Sequence, residues 1–212
     1  CNQKYAGNVV KALASAKNGY KAITEALKSM PANKLKLDVQ FKSHVHAVNI
    51  LSKNIVELII HSPFCVQNFQ PGQFFRLQNN VHDIEKIVEP LALTGAYIDK
   101  EANLISLIIL EIGKSSRLCR TLKAGDEVVL MGPTGAPTEI VQNKKVVLIG
   151  GGLGNAVLLP IAEALKANNC QVTYFAAYRK LEDRFYPERI EQYSDHVVWS
   201  CEQELISTSR EQ

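Results

Sequence analysis

The stretch that most constrains this chain runs from Lys144 to Ala156, KKVVLIGGGLGNA. Val146, Val147, Leu148 and Ile149 form an unbroken apolar run, the pattern of a strand buried on both faces rather than on one. Gly150, Gly151, Gly152 and Gly154 come next, and Asn155-Ala156 opens an apolar run to Ala167 with helical spacing. Strand, glycine turn and helix in that order let a phosphate approach the backbone closely. The free N–H groups of the helix start favour its negative charge.

The segments on either side of this unit set its context. Val172–Ala177 reads as a second strand and Asp195–Cys201 as a third, so a parallel α/β unit begins near Lys144. Upstream, from Leu35 to about Ile140, the period shortens to that of strands. Val39 to Ile50, Ile55 to Ile60, Phe74 to Leu77, Ile84 to Leu93, Leu104 to Ile112 and Val128 to Leu130 are separated by turns such as Asn68 to Gln73 and Lys123 to Asp126. Short strands at this spacing, with no long helix among them, predict a small antiparallel barrel. Residues 7–30 change period again. Asn8 can cap a run in which Val9, Val10, Leu13, Ala16, Tyr20, Ile23 and Leu27 recur every three or four residues, an amphipathic helix. The expected divisions are 1–34, 35–143 and 144–212.

Composition excludes several partners. A net charge of +3 is too weak to argue for nucleic acid or an anionic membrane. No apolar run approaches the ~20 residues of a membrane span. Five scattered cysteines with no C-x-x-C pattern point to reduced thiols in a cytoplasmic protein rather than to a disulfide scaffold or metal cluster. His44 and His46, two apart on a strand, share a face but lack a third ligand. Residue 1 is Cys rather than Met, and the chain is expected to be a piece of a longer polypeptide.

Five motifs in order carry a resemblance: Pro71-Gly72-Gln73-Phe74, Gly113-Lys114-Ser115-Ser116-Arg117-Leu118, Leu122-Lys123-Ala124-Gly125-Asp126, Gly132-Pro133-Thr134-Gly135 and Ile149 to Gly154. With them residues 36–200 resemble the ferredoxin–NADP reductase superfamily, above all the electron-transfer subunit of dihydroorotate dehydrogenase. They are also similar to the reductase module of large glutamate synthase-like oxidoreductases. Gly7 to Asn18 resembles the last segment of a glutamate synthase small-subunit FAD domain, which implies an upstream flavoprotein domain on the same polypeptide. The fold implied is an FAD-type antiparallel β barrel followed by a truncated, Rossmann-like NAD(P) lobe, with an N-terminal helix.

The resemblance implies two cofactors, FAD and NAD(P). Gly113, Lys114, Ser115 and Ser116 precede a short helix through Leu118 and Leu122, which Ser115 or Ser116 can cap, either a seat for the FAD pyrophosphate or an ordinary capped turn. Pro90, Leu91 and Ala92 correspond to the segment that faces the flavin. There the sequence departs from the pattern: the usual arginine is Glu89 and the usual hydroxyl is the methyl of Ala92. A carboxylate beside pyrophosphate is repulsive, so Arg76, Lys114, Arg117 or Thr94 must supply the contact, or FAD binding weakens.

Gly150, Gly151, Gly152, Gly154 and Asn155 are the expected nucleotide turn, although strict G-x-G-x-x-G spacing would put a glycine at 155. No acidic residue ends the second strand to hold an NAD ribose. Arg179 stands there instead and leans the reading toward NADP, with Glu182 and Asp183 close by; a solvated strand-end charge is the alternative for Arg179. The reaction implied is hydride transfer from a pyridine nucleotide to FAD, then electron transfer to an acceptor subunit or domain, with no catalytic acid or base. Because a complete reductase lobe has further strands, this piece alone is expected not to turn over. The alternative is a non-catalytic docking or regulatory module that keeps the fold.

Overall fold

The apolar run Ile55–Ile60 shows how the fold is built, because it is buried on both sides. In the computed structural model, which describes residues 20–22, 24, 25, 28, 42–79 and 89–203, it forms strand β2 (Ile55–His61). Val56, Leu58 and Ile60 point into a barrel core with Phe75, Leu77, Ile105, Leu107 and Ile109, all of them at most 1% exposed. Burying each such side chain contributes about 1.5–3 kcal/mol. Ile55 and Glu57 point the other way and are just as covered, so a second layer lies over this strand.

The barrel holds six antiparallel strands. β1 (Ser43–Ile50), β2, β3 (Phe74–Gln78), β4 (Leu91–Asp99), β5 (Leu104–Leu110) and β6 (Glu127–Thr134) are hydrogen-bonded in the order β1-β2-β5-β4-β3-β6, and β6 returns to β1 to close it. Two short helices serve it, α1 (Pro63–Asn68) and α2 (Lys114–Leu118). Sequence pattern did not foresee α1, whose Pro63 lies in its first turn.

The second layer is the α/β lobe. Strands β7 (Lys145–Gly151), β8 (Gln171–Tyr178) and β9 (His196–Cys201) form a parallel sheet in that order. Helices α3 (Asn155–Ala167) and α4 (Pro187–Gln192) connect them. Leu148, Val172, Tyr174, Ala176, Val197 and Trp199 line one face of the sheet and share one core with Ile55, Ala96 and Ile108 from the outside of the barrel. Thus the barrel strands β2, β4 and β5 form the floor on which the lobe rests. The opposite sheet face carries Val147, Ile149, Phe175 and Val198, exposed by 40–77%. Parallel sheets are ordinarily covered on both faces.

The antiparallel barrel and parallel lobe agree with the sequence expectation. The described residues of the barrel and the lobe, 42–79 and 89–203, belong to one compact unit. Of the helix expected over 7–30, the described positions 20–22, 24, 25 and 28 are helical and exposed, and the rest lies outside the described residues. Among the described residues no helix is long and apolar enough to cross a membrane.

Candidate functional site

Where β4 begins, its first residues form one wall of a cavity of about 580 Å³. Glu89, Pro90, Leu91, Ala92 and Leu93 line it on one side and Gly113, Lys114, Ser115 and Ser116 on the other, with Ile109, Leu110, Ile112 and Leu153 between. All seven residues expected to hold FAD are therefore brought together. Arg76 on β3 lies directly opposite Ala92, and opposed residues of an antiparallel pair project to the same face. It is an exposed cation next to this wall.

The short helix α2 corrects one expectation. Neither Ser115 nor Ser116 occupies its N-cap: Gly113 does, in extended backbone at φ −108°. Ser116 sits three residues in, and its hydroxyl accepts from Gly113 N–H (2.9 Å) while donating to Gly113 C=O (3.0 Å). The serine is thus committed to its own turn. Asn79, just past the end of β3, fixes the same turn by donating to Ser115 C=O (2.6 Å).

The glycine turn is a single turn of 3₁₀ helix, Gly152–Gly154, between β7 and α3. It has an open and a closed side. A Cβ added at Gly151, Gly152 or Gly154 would meet nothing within 4 Å, and Gly152 has φ +52°. A Cβ at Gly150 would lie 2.1 Å from Asn155 Oδ1. Asn155 is fully buried. Its amide donates to Gly152 C=O (3.0 Å) and Ala177 C=O (3.4 Å), and its Oδ1 accepts from the Tyr174 hydroxyl (3.2 Å). Burial holds that phenol well above its ordinary range, so it remains a donor. Asn155 therefore faces inward and ties the turn to the end of β8.

A second cavity, of about 340 Å³, opens beside this turn. Gly152, Leu153, Tyr178, Arg179, Lys180, Glu182 and Asp183 line it, with Asn54, Ile55 and Leu110 from the barrel. Arg179 Nε is 3.7 Å from Glu202, both side chains being about 70% exposed, and Lys180 is 3.4 Å from Glu182. Such exposed pairs contribute little. Two cations and two carboxylates thus share this rim. Leu110 and Leu153 line both cavities, so the two adjoin across an aliphatic wall.

No protein-family model matches the chain. An uncharacterized protein of Rickettsia prowazekii is 50% identical over 219 residues, covering 100% of this chain and 29% of that protein. A dihydroorotate dehydrogenase B (NAD(+)) electron transfer subunit homolog of Thermotoga maritima is 30% identical over 149 residues, covering 70% of this chain and 51% of its own. Among solved structures, the NADH-dependent reduced ferredoxin-NADP oxidoreductase studied for flavin-based electron bifurcation superposes with a TM-score of 0.70. It is 26% identical over 76% of this chain and 57% of that one. The chain fits the ferredoxin reductase superfamily. It spans about half the length of the electron-transfer subunits it matches.

Within this ferredoxin reductase-like frame, the remaining candidates separate clearly. The His44 ring lies 4.7 Å from that of His61 at a 30° tilt, a neighbour that sequence alone does not pair with it. Burial lowers the His61 pKa, and His44 and His46 lower it further. Among the described residues no group of three His, Cys, Asp or Glu side chains could hold a metal. Cys65, Cys119 and Cys170 are buried free thiols and Cys201 is half-buried. Sequence reasoning missed Glu57, a carboxylate only 2% exposed on β2. Its signal was an acid inside an otherwise apolar strand.

Proposed function

We propose that this chain is part of a flavin-dependent NAD(P)H oxidoreductase that passes electrons from a pyridine nucleotide through FAD to a partner domain or subunit. The observation that carries this reading is the pair of cavities adjoining at Leu110 and Leu153. Each has the size and mixed lining of a small-molecule site. The residues of the larger cavity fit FAD. Leu91, Leu93 and Ile112 offer apolar surface for a ring system, and Lys114 and Arg76 offer cations near the open Gly113 turn for phosphate. The smaller cavity fits a nucleotide, with the open side of the glycine turn and Arg179 and Lys180 at its rim.

Bound FAD would supply the two-electron redox chemistry, while the protein binds, orients and excludes water. Leu110 and Leu153 carry no titratable atom, so they can only shape the passage between the sites. The divisions 1–34, 35–143 and 144–212 belong to this reading, as does a glutamate synthase-like flavoprotein domain upstream. A longer polypeptide is supported by the Rickettsia relative, of which the match covers 29%. The bare sheet face of Val147, Ile149, Phe175 and Val198 supports it too. In that reading the piece alone turns over slowly or not at all.

Titration of the purified chain with FAD tests the proposal. Saturable binding with a shifted flavin absorbance, at a Kd of roughly micromolar, is expected. Glu89→Arg should tighten it about fivefold to tenfold, because a cation replaces a carboxylate at the cavity wall. Absence of binding at roughly millimolar FAD would favour the second reading, a docking module that keeps the fold, which Glu89 in the wall specifically recommends.

A further inference from the structure

One strip of the lobe, Asp183 to Arg189, reaches the barrel at three points. Ser52 Oγ donates to Asp183 Oδ1 at 3.1 Å. The Arg189 guanidinium lies 3.9 Å from the centroid of the Tyr97 ring on β4. Between them the Tyr186 hydroxyl donates to Glu57 Oε1 on β2. Ser106 on β5 donates to the same oxygen, and Asn49 on β1 donates to Oε2 at 2.8 Å. A buried carboxylate is costly unless its oxygens are filled, and here three donors fill them. One of the three comes from the other lobe.

Tyr186 adopts φ +50° and ψ +46°, the left-handed region. For a bulky residue this costs about 1–2 kcal/mol and persists only where the surroundings hold it. Pro187, in the first turn of α4, also disfavours right-handed helical backbone at 186. The strain therefore aims the ring out of the lobe and down onto the barrel. Burial and the Glu57 carboxylate raise the phenol well above its ordinary range, which keeps its proton in place.

We propose that Tyr186 is a positioning residue that keys the nucleotide lobe onto the barrel through Glu57, and so sets how the two cavities meet at Leu110 and Leu153. This role rests on the two-site reading above for its functional consequence, but not for its mechanical one. Phe at 186 keeps the ring and removes the donor; Gln at 57 keeps an acceptor for Tyr186. Reactions between two bound groups are sensitive to misplacement of even an ångström.

The test uses the full chain with Cys1 and Cys201 replaced by Ser and spin labels at Lys100→Cys on the barrel and Ala167→Cys on the lobe. Tyr186→Phe and Glu57→Leu should broaden the label-to-label distance distribution, and Glu57→Gln should leave it near that of the parent. FAD and nucleotide Kd values should change by less than about twofold, which separates a shift in lobe placement from the loss of either site. An unchanged distance distribution in Tyr186→Phe overturns the proposal. If the parent chain binds no FAD, the oxidoreductase reading fails, and the distance measurement still decides the role of Tyr186.

Discussion

Gly150→Ala is expected to destabilise the protein by about 2–4 kcal/mol and to abolish pyridine-nucleotide binding, with FAD binding retained. The new methyl would lie 2.1 Å from Asn155 Oδ1, 2.8 Å from its Cγ and 3.0 Å from Leu158 Cδ1. Elsewhere a side-chain tip could swing aside cheaply. Here Asn155 is fully buried and engaged with Gly152 C=O, Ala177 C=O and the Tyr174 hydroxyl. Moving it strands these groups without partners, at about 1–3 kcal/mol for a buried polar group left unsatisfied. It also frees the turn whose open side faces the smaller cavity. Urea midpoints and calorimetric titration with NADP and NAD measure the two effects. A double-mutant cycle sharpens the test: once Asn155→Ala has removed the obstacle, Gly150→Ala should cost markedly less. Additive losses would mean that the clash with Asn155 is not the cause.

Stability should hold level from about pH 7 to about pH 8.5 and then fall steeply. Burial pushes the Cys119 thiol from 9.0 up to about 11, and the nearby Glu111 charge adds to the rise. Between those values the unfolded chain has lost this proton and the folded chain has not. The contribution is therefore fully present below about pH 9 and is lost as pH rises to about 11, at most about 3 kcal/mol for this group. Cys65, Tyr174, Tyr178 and Tyr186 are all raised by burial and act in the same direction. His61 acts at the other end. Its folded pKa lies below 6.5, so the unfolded chain takes up the proton first and stability declines below about that pH. Urea unfolding at about pH 8 and about pH 10.5 should differ by several kcal/mol. An equal midpoint at both would show that these groups are not shielded as the fold indicates.

The features legible in the sequence were those written locally. Val146–Ile149 with the glycines behind it announces a strand and turn without help from elsewhere, and the short strands of the barrel announce themselves by period. The two helices that escaped notice, Pro63–Asn68 and Pro187–Gln192, are six residues each, too short for a periodic pattern. Their start signal was present all the same, since proline suits the first turn of a helix. Gly113, Lys114, Pro90 and Ala92 line one cavity, a grouping that the family resemblance implied. The hydroxyl of Ser116 could not be read, since its bond back to Gly113 depends on backbone geometry. Least visible were pairings across the chain. Arg76 meets Ala92 only through strand register. Glu57 makes sense only when Tyr186, 129 residues later, arrives beside it.

The common wall of the two cavities limits how this protein can be altered, by selection or by an engineer. Leu110 comes from a barrel strand and Leu153 from the glycine turn, yet each belongs to both chambers. A larger or smaller side chain at either position reshapes two sites at once, so neither chamber can be re-cut there independently. Freedom to reshape the proposed nucleotide site lies instead at the far rim, Arg179 to Asp183, which borders the smaller chamber alone.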